Sequence, residues 1–266
     1  MSFLVWILFL ANCAGTFAQQ KTEAQLTELV KAVRSADYRG DRAALDRLDA
    51  ALARLPDSSL DDYRAYWRGF ARWRRAINGF NETPTPTDLA ADLDAAIGQF
   101  KVALERRPGW IEARLAMVGS LGNLIYLAGD DAAKREAILA QYKPVGKNLQ
   151  ADGPDNPRVL WIIGGLQLGA PPPTGGDPAR AAATMSNGLE CSWREALAGT
   201  GPGWVPAWGG PENLMNLAYL YSHSALNNKA AALAYAQGAL TMVPEWHYVR
   251  EVLMPQIEAM PDAGKQ

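Results

Sequence analysis

The chain has 266 residues, 48% of them hydrophobic, and a formal net charge of −2. That composition excludes a disordered polymer, and the missing positive charge speaks against a dedicated nucleic-acid binder. Two cysteines, Cys13 and Cys191, are too few for a disulfide framework.

The first twenty residues carry no Lys, Arg, Asp or Glu, and Phe3 to Leu10 is an unbroken apolar run, FLVWILFL. Thr16-Phe17-Ala18 then offers small residues where a signal peptidase reads, so residues 1–18 are expected to be a cleaved secretory signal. A retained membrane anchor is the alternative, although the run is short for a span. Leu10-Ala11-Asn12-Cys13 is similar to a bacterial lipoprotein box, with Asn12 departing from it; lipidation of Cys13 would tie the chain peripherally to a membrane. The expected location is therefore exported, in the periplasm, or else the envelope as a lipoprotein. If Cys13 leaves with the signal, Cys191 has no partner, and packing alone must hold the fold.

Helical patterns follow in chain order. Residues 22–37 and 41–55 form a first pair, turning at Gly40-Asp41, and 59–78 and 87–107 a second, joined by NETPTPT. Residues 109–128 and 131–151 form a third, turning at Gly129-Asp130. Residues 157–168 and 178–198 make a fourth, joined by GAPPPTGGD, and 211–226 and 229–243 a fifth. A last helix is expected over 245–259. Asp88 after Thr87 and Pro157 after Asn156 read as helix starts. No run alternates apolar and polar residues, so no sheet is expected.

The second helix of three pairs repeats one spacing. Ala44, Leu48, Ala51 and Pro56 are separated by four, three and five residues, as are Ala96, Phe100, Ala103 and Pro108, and Ala232, Ala236, Ala239 and Pro244. Gaps of four and three put three side chains on one helical face, and small ones there let a neighbour approach closely. The proline ends the helix. Leu214, Leu217, Ala218 and Tyr221 give the large, large, small, aromatic spacing of a first helix; Tyr63, Tyr66, Trp67 and Phe70 match it loosely, and so do Leu160, Ile163 and Gly164.

These gaps resemble the tetratricopeptide repeat, and AIGQFKVALERRP, residues 96–108, resembles its second helix most fully. The resemblance implies an all-α fold over residues 19–266: about five helix pairs stacked as an α-solenoid, a C-terminal capping helix, and a groove that binds another protein. Asp152 to Gly176, with a DNPR-type helix start and a glycine-rich loop, is similar to the T-component lipoproteins of tripartite ATP-independent periplasmic transporters. That likeness covers about the last 110 residues.

Three places carry candidate site residues. Tyr63, Trp67, Phe70 and Ile77 fall on one face of their helix, and Arg64, Arg68, Arg72 and Arg75 on the other. This reads either as a basic, aromatic surface for an acidic peptide or lipid head groups, or as a buried aromatic face with a solvated back whose arginines pair with Asp88, Asp92 and Asp94. Trp204 and Trp208 lie in GTGPGWVPAWGGP, either exposed to a ligand or folded back as a plug. His223, beside Tyr219 and Tyr221, is the third, with packing as its other reading. Trp246, Tyr248, Val249 and Leu253 are expected to cover the last pair.

Catalytic signatures are missing. His223 and His247 are the only histidines, no HExxH or paired-cysteine spacing occurs, and no phosphate-binding loop or nucleophile elbow is present. Asp61-Asp62 matches a helix start better than an acid–base pair. The expectation is a non-enzymatic scaffold without cofactor or metal. Its rivals are a small-molecule or lipid binder serving a transporter and an enzyme built from scattered carboxylates.

Overall fold

The computed structural model describes residues 2–82, 85–199 and 201–261, with side chains from Gln19 onward except that of Thr174. The signal, anchor and Cys13 readings concern side chains outside the described residues; the backbone of 2–18 is helical and continues into the first helix. Among the described residues no helix is long and apolar enough to cross a membrane, and no strand occurs.

The helices are α1 (Ser2–Tyr38), α2 (Arg42–Ala53), α3 (Asp61–Phe80), α4 (Pro86–Arg106), α5 (Ile111–Leu127), α6 (Ala132–Gly146), α7 (Leu149–Asp152), α8 (Pro157–Gly169), α9 (Pro178–Ala198), α10 (Gly210–His223), α11 (Lys229–Met242) and α12 (Met254–Glu258). Consecutive helices pack in pairs: α1 with α2, α3 with α4, α5 with α6, α8 with α9 and α10 with α11. The first helix of each pair also touches that of the next, running α1, α3, α5, α8, α10.

Local chemistry sets the boundaries. Asp41, Thr85, Asp131, Asn156, Asp177 and Asn228 each accept a backbone N–H of the helix they open, satisfying donors with no partner inside the first turn. Proline sits in the first turn of α4, α8 and α9, where its missing N–H costs nothing. Thr85, rather than Thr87, caps α4, so this helix begins earlier than expected. Gly40 and Gly129 take φ of +70° and +52° at the two tight turns.

Two expected helices are divided. The one expected over 131–151 stops at Gly146, because Asn148 adopts φ +60° and starts the short α7 afresh. The last one opens as a π-helical turn, Tyr248–Leu253, before α12. Pro255 accounts for this: it donates no N–H and crowds the carbonyl of Glu251, and the wider turn relieves both.

The repeated spacing is realised unevenly. Ala96, Phe100 and Ala103 are fully buried, as are Ala232, Ala236 and Ala239. Ala44, Leu48 and Ala51 are only half-buried, because an open hollow between α1 and α2 lies alongside Ala51. The three helices stop two or three residues before Pro56, Pro108 and Pro244.

The last pair returns to the first helix. Tyr38 Oη donates to Glu212 at 2.7 Å, and its ring meets Trp246 edge-on at 5.0 Å. Trp246, Val249 and Leu253 are buried in one cluster with Ala232, Ala236 and Ala239, so the C-terminal segment covers α11 and also grips α1.

Candidate functional site

The connection between α9 and α10 organises the interior. Trp208 is 1% exposed and packs against Phe70, Trp73 and Trp161 at 5.6, 6.0 and 5.5 Å. Its Nε1 donates to Tyr66 Oη at 2.9 Å, and its carbonyl accepts from Arg158 Nη1 at 2.9 Å. Arg158 is fixed by Glu112 (2.8 Å) and Glu195 (3.0 Å). Trp204 is half-buried, and its carbonyl accepts from Trp67 Nε1 at 2.7 Å. The indole nitrogens of Trp67, Trp73 and Trp208 each have an acceptor, which offsets the cost of burying them.

Beside this aromatic core lies a cavity of about 550 Å³, within the usual range for a small-molecule site. It opens between α3, α5, α8 and α10, the first helices of four consecutive pairs, with Arg135 of α6 contributing at its edge. Trp73 and Trp161 form one wall, their rings 5.9 Å apart and inclined at 66°. Trp208 touches both and backs them from inside. Tyr126 stands 75% exposed at the rim, leaning on Phe80, with the partly exposed Leu166 also at the rim.

Glycine makes this space. Gly119, Gly122, Gly165 and Gly169 all face it from helices. At Gly119 a Cβ would strike the Trp73 ring at 2.5 Å, so close packing requires glycine there. At Gly122 and Gly169 nothing lies within 4 Å of an added Cβ. A helical glycine costs about 1 kcal/mol against alanine; at these two positions no packing contact repays that cost, and the visible result is an open cavity.

The polar groups of the lining are few. Trp73 Nε1 donates to Asn123 Oδ1 at 3.1 Å. An indole nitrogen can only donate, so the Asn123 oxygen must face it and its amide nitrogen is left as a donor. Trp161 Nε1 is buried with no acceptor among the described residues. Asn216, Arg135 and the Tyr126 hydroxyl at the rim are the others, with Arg135 Nη1 donating to the Gly129 carbonyl at 3.1 Å. Among the described residues no Asp, Glu, His, Cys, Ser, Thr or Lys lines the cavity.

Of the residues singled out from the sequence Ile77 lines this cavity, and the candidate site residues lie elsewhere. Trp67 is 0% exposed and belongs to the core, as does Trp208, so neither presents a surface. The basic face of α3 is neutralised from within the chain. Arg64 meets Asp57 at 2.7 Å and Asp61 at 3.1 Å. Arg68 and Arg72 share Asp49, at 2.8 and 2.7 Å. Arg75 holds Asp92 at 2.5 Å, with Arg72 and Arg42 near the same carboxylate. Among the described residues only Asp92 of the three aspartates expected on the following helix pairs; Asp49 and Asp46 of the preceding helix, and Asp57 and Asp61 beside Arg64, supply the rest. His223 is exposed, stacked on Tyr219 at 4.3 Å and bonded through Nδ1 to Ser222 Oγ at 2.7 Å. The structure does not bring Arg64, Trp67, Arg68, Trp204, Trp208 and His223 together into one site.

Asp61, buried, receives the Ser58 N–H and lies beside Arg64 and Arg106, so it serves the start of α3. Cys191 is free and 3% exposed. Burial pushes its thiol above the usual range, against the lowering effect of Arg194, whose guanidinium lies 3.0 Å from the sulfur. Among the described residues no group of three His, Cys, Asp or Glu is placed to hold a metal ion.

The pocket did leave a trace in the sequence. Three glycines in the interiors of two apolar helices and a fourth, Gly169, at the end of one, on a spacing of three or four, signal either close packing or a cleared surface. No family profile, curated protein or solved structure matches this chain.

Proposed function

We propose that the chain is a non-enzymatic binding protein of the cell envelope, built as a tetratricopeptide-like stack, which receives a small and largely apolar ligand in the pocket between α3, α5, α8 and α10. The repeated Ala-large-Ala-Pro spacing and the succession of first helices support the repeat reading. The apolar leader supports export. The observation that carries the function is the pocket itself. It is about 550 Å³, walled by two indoles, cleared by helical glycines and devoid of the side chains that act as nucleophile or general base.

A ligand of this size suits the geometry better than a long peptide in an open groove, because Trp204 and Trp208 fill the interior. The scaffold reading keeps one observation in its favour. Tyr126 and Leu166 extend the apolar surface beyond the mouth, and a partner protein inserting one apolar side chain would cover them.

Replacing Trp204 and Trp208 would test the core rather than the contact. The informative variant is Gly122→Leu, which fills the cavity where the backbone has room. Both proteins are purified from an envelope extract and analysed by mass spectrometry under native and denaturing conditions. A small molecule carried by the unaltered chain and lost from the variant supports ligand binding. A defined protein lost from the variant instead supports the scaffold, and identical content in both overturns the pocket as the functional site.

A further inference from the structure

We infer that the pocket selects a compact aromatic ligand whose polar head is a carboxylate. This rests on the pocket being a binding site, and it follows from the valences the lining leaves open. Asn123 offers its amide N–H₂, since its oxygen is committed to Trp73. Trp161 Nε1 is closed off and without an acceptor among the described residues, so it adds no acceptor to the lining. Asn216 carries an amide whose nitrogen lies 4.0 Å from the Cβ position of Gly165. Arg135 spends one nitrogen on a carbonyl and has no carboxylate partner among the described residues.

The side-chain groups of fixed polarity are therefore donors, and among the described residues the one charged side chain of the lining, Arg135, is positive. A ligand presenting N–H or ammonium would bury donors against donors, and each unpaired buried group is costly. A carboxylate presents acceptors only, and a charge-assisted bond to a guanidinium is among the stronger available. The body of the ligand follows from the walls. Two inclined indoles and an exposed tyrosine offer faces and edges to a ring, and the flat backbone beside Gly122 and Gly169 leaves room for a planar group.

The preference is local rather than global. The chain as a whole carries a net charge of −2, which by itself would favour a cationic ligand.

The test uses three probes sharing one ring system: 2-naphthoate, 2-naphthylmethylammonium and 2-naphthalenemethanol. Each is titrated calorimetrically into the full chain, into Gly122→Leu and into Arg135→Gln, after circular dichroism has shown both variants folded. The expected result is that naphthoate binds at least tenfold more tightly than the ammonium probe, with the alcohol between them. Arg135→Gln, which keeps this exposed position polar, should narrow that gap several-fold. Equal binding of all three, or tighter binding of the ammonium, overturns the carboxylate inference while leaving the pocket intact. No binding by any probe, or binding unchanged in Gly122→Leu, overturns the pocket reading together with it.

Discussion

Replacing Trp208 by alanine removes a fully buried indole, its contacts with three aromatic neighbours and its bond to Tyr66. The expected loss is about 3–5 kcal/mol, the range for deleting a large core aromatic, read from urea denaturation. Trp193, by contrast, is half exposed on α9, and its alanine variant should change stability by no more than about 0.5 kcal/mol. Equal effects would contradict the placement of these two tryptophans. Sequence reading left open whether Trp208 plugs or presents, because a Gly/Pro-rich segment carries no periodicity to assign an inward face. Only Tyr66, 142 residues away, and Arg158 decide it. Cys191 gives a second test at this scale. Its thiol is buried and raised above the ordinary range, and the thiolate is the reactive form. Labelling by an aromatic disulfide at pH 7 should be slow in the folded chain, quicken as pH rises, and become fast in denaturant. Rapid labelling of the native protein would show the thiol to be accessible.

At the scale of the helix, caps and stops were legible and pairings were not fully so. Asp41, Asn156 with Pro157, and the terminating prolines are local chemistry, and they place boundaries to within a few residues. The breaks at Asn148 and at the π turn before Pro255 were not legible, since a left-handed asparagine and a widened turn leave hydrophobic spacing unchanged. The basic face of α3 was seen as a stripe, but its partners lie mainly on α2, and spacing within one helix cannot show the neighbour. The candidate pocket was missed for a related reason: its walls come from four helices, and only its glycines stood in the sequence. Those glycines make a prediction of opposite sign to most substitutions. Gly122→Leu should stabilise α5 by about 0.5–1 kcal/mol through helix propensity, since nothing lies within 4 Å of an added Cβ and the rest of the side chain enters the cavity. A loss of more than 1 kcal/mol in thermal unfolding would mean that the space is required by the fold.

For the whole molecule, the repeat pattern anticipated helices packed in adjacent pairs but not the contact between the last pair and the first helix. Repeats describe what adjoins in sequence, and the Tyr38–Glu212 bond spans 174 residues. In an open stack the terminal units have neighbours on one side only and fray first. Here α1 is held by α2 and α3 and also by Trp246 and Glu212. Amides of residues 26–38 should therefore exchange with the same free energy as those of α10, and unfolding should be one transition. Tyr38→Phe, which strips a buried carboxylate of one donor, should cost about 1–3 kcal/mol and lower protection at both ends of the chain. Early exchange of α1 alone would show that the two ends are uncoupled.

The central claim is that the cavity between α3, α5, α8 and α10 is where this protein binds. The most direct test is the melting temperature of the chain and of Gly122→Leu, each with and without saturating 2-naphthalenemethanol, the uncharged probe. A ligand at a hundred times its dissociation constant adds about 2.7 kcal/mol to the folded state. The account predicts a rise of several degrees for the unaltered chain and none for the variant. A rise of equal size in both, or in neither, would contradict it.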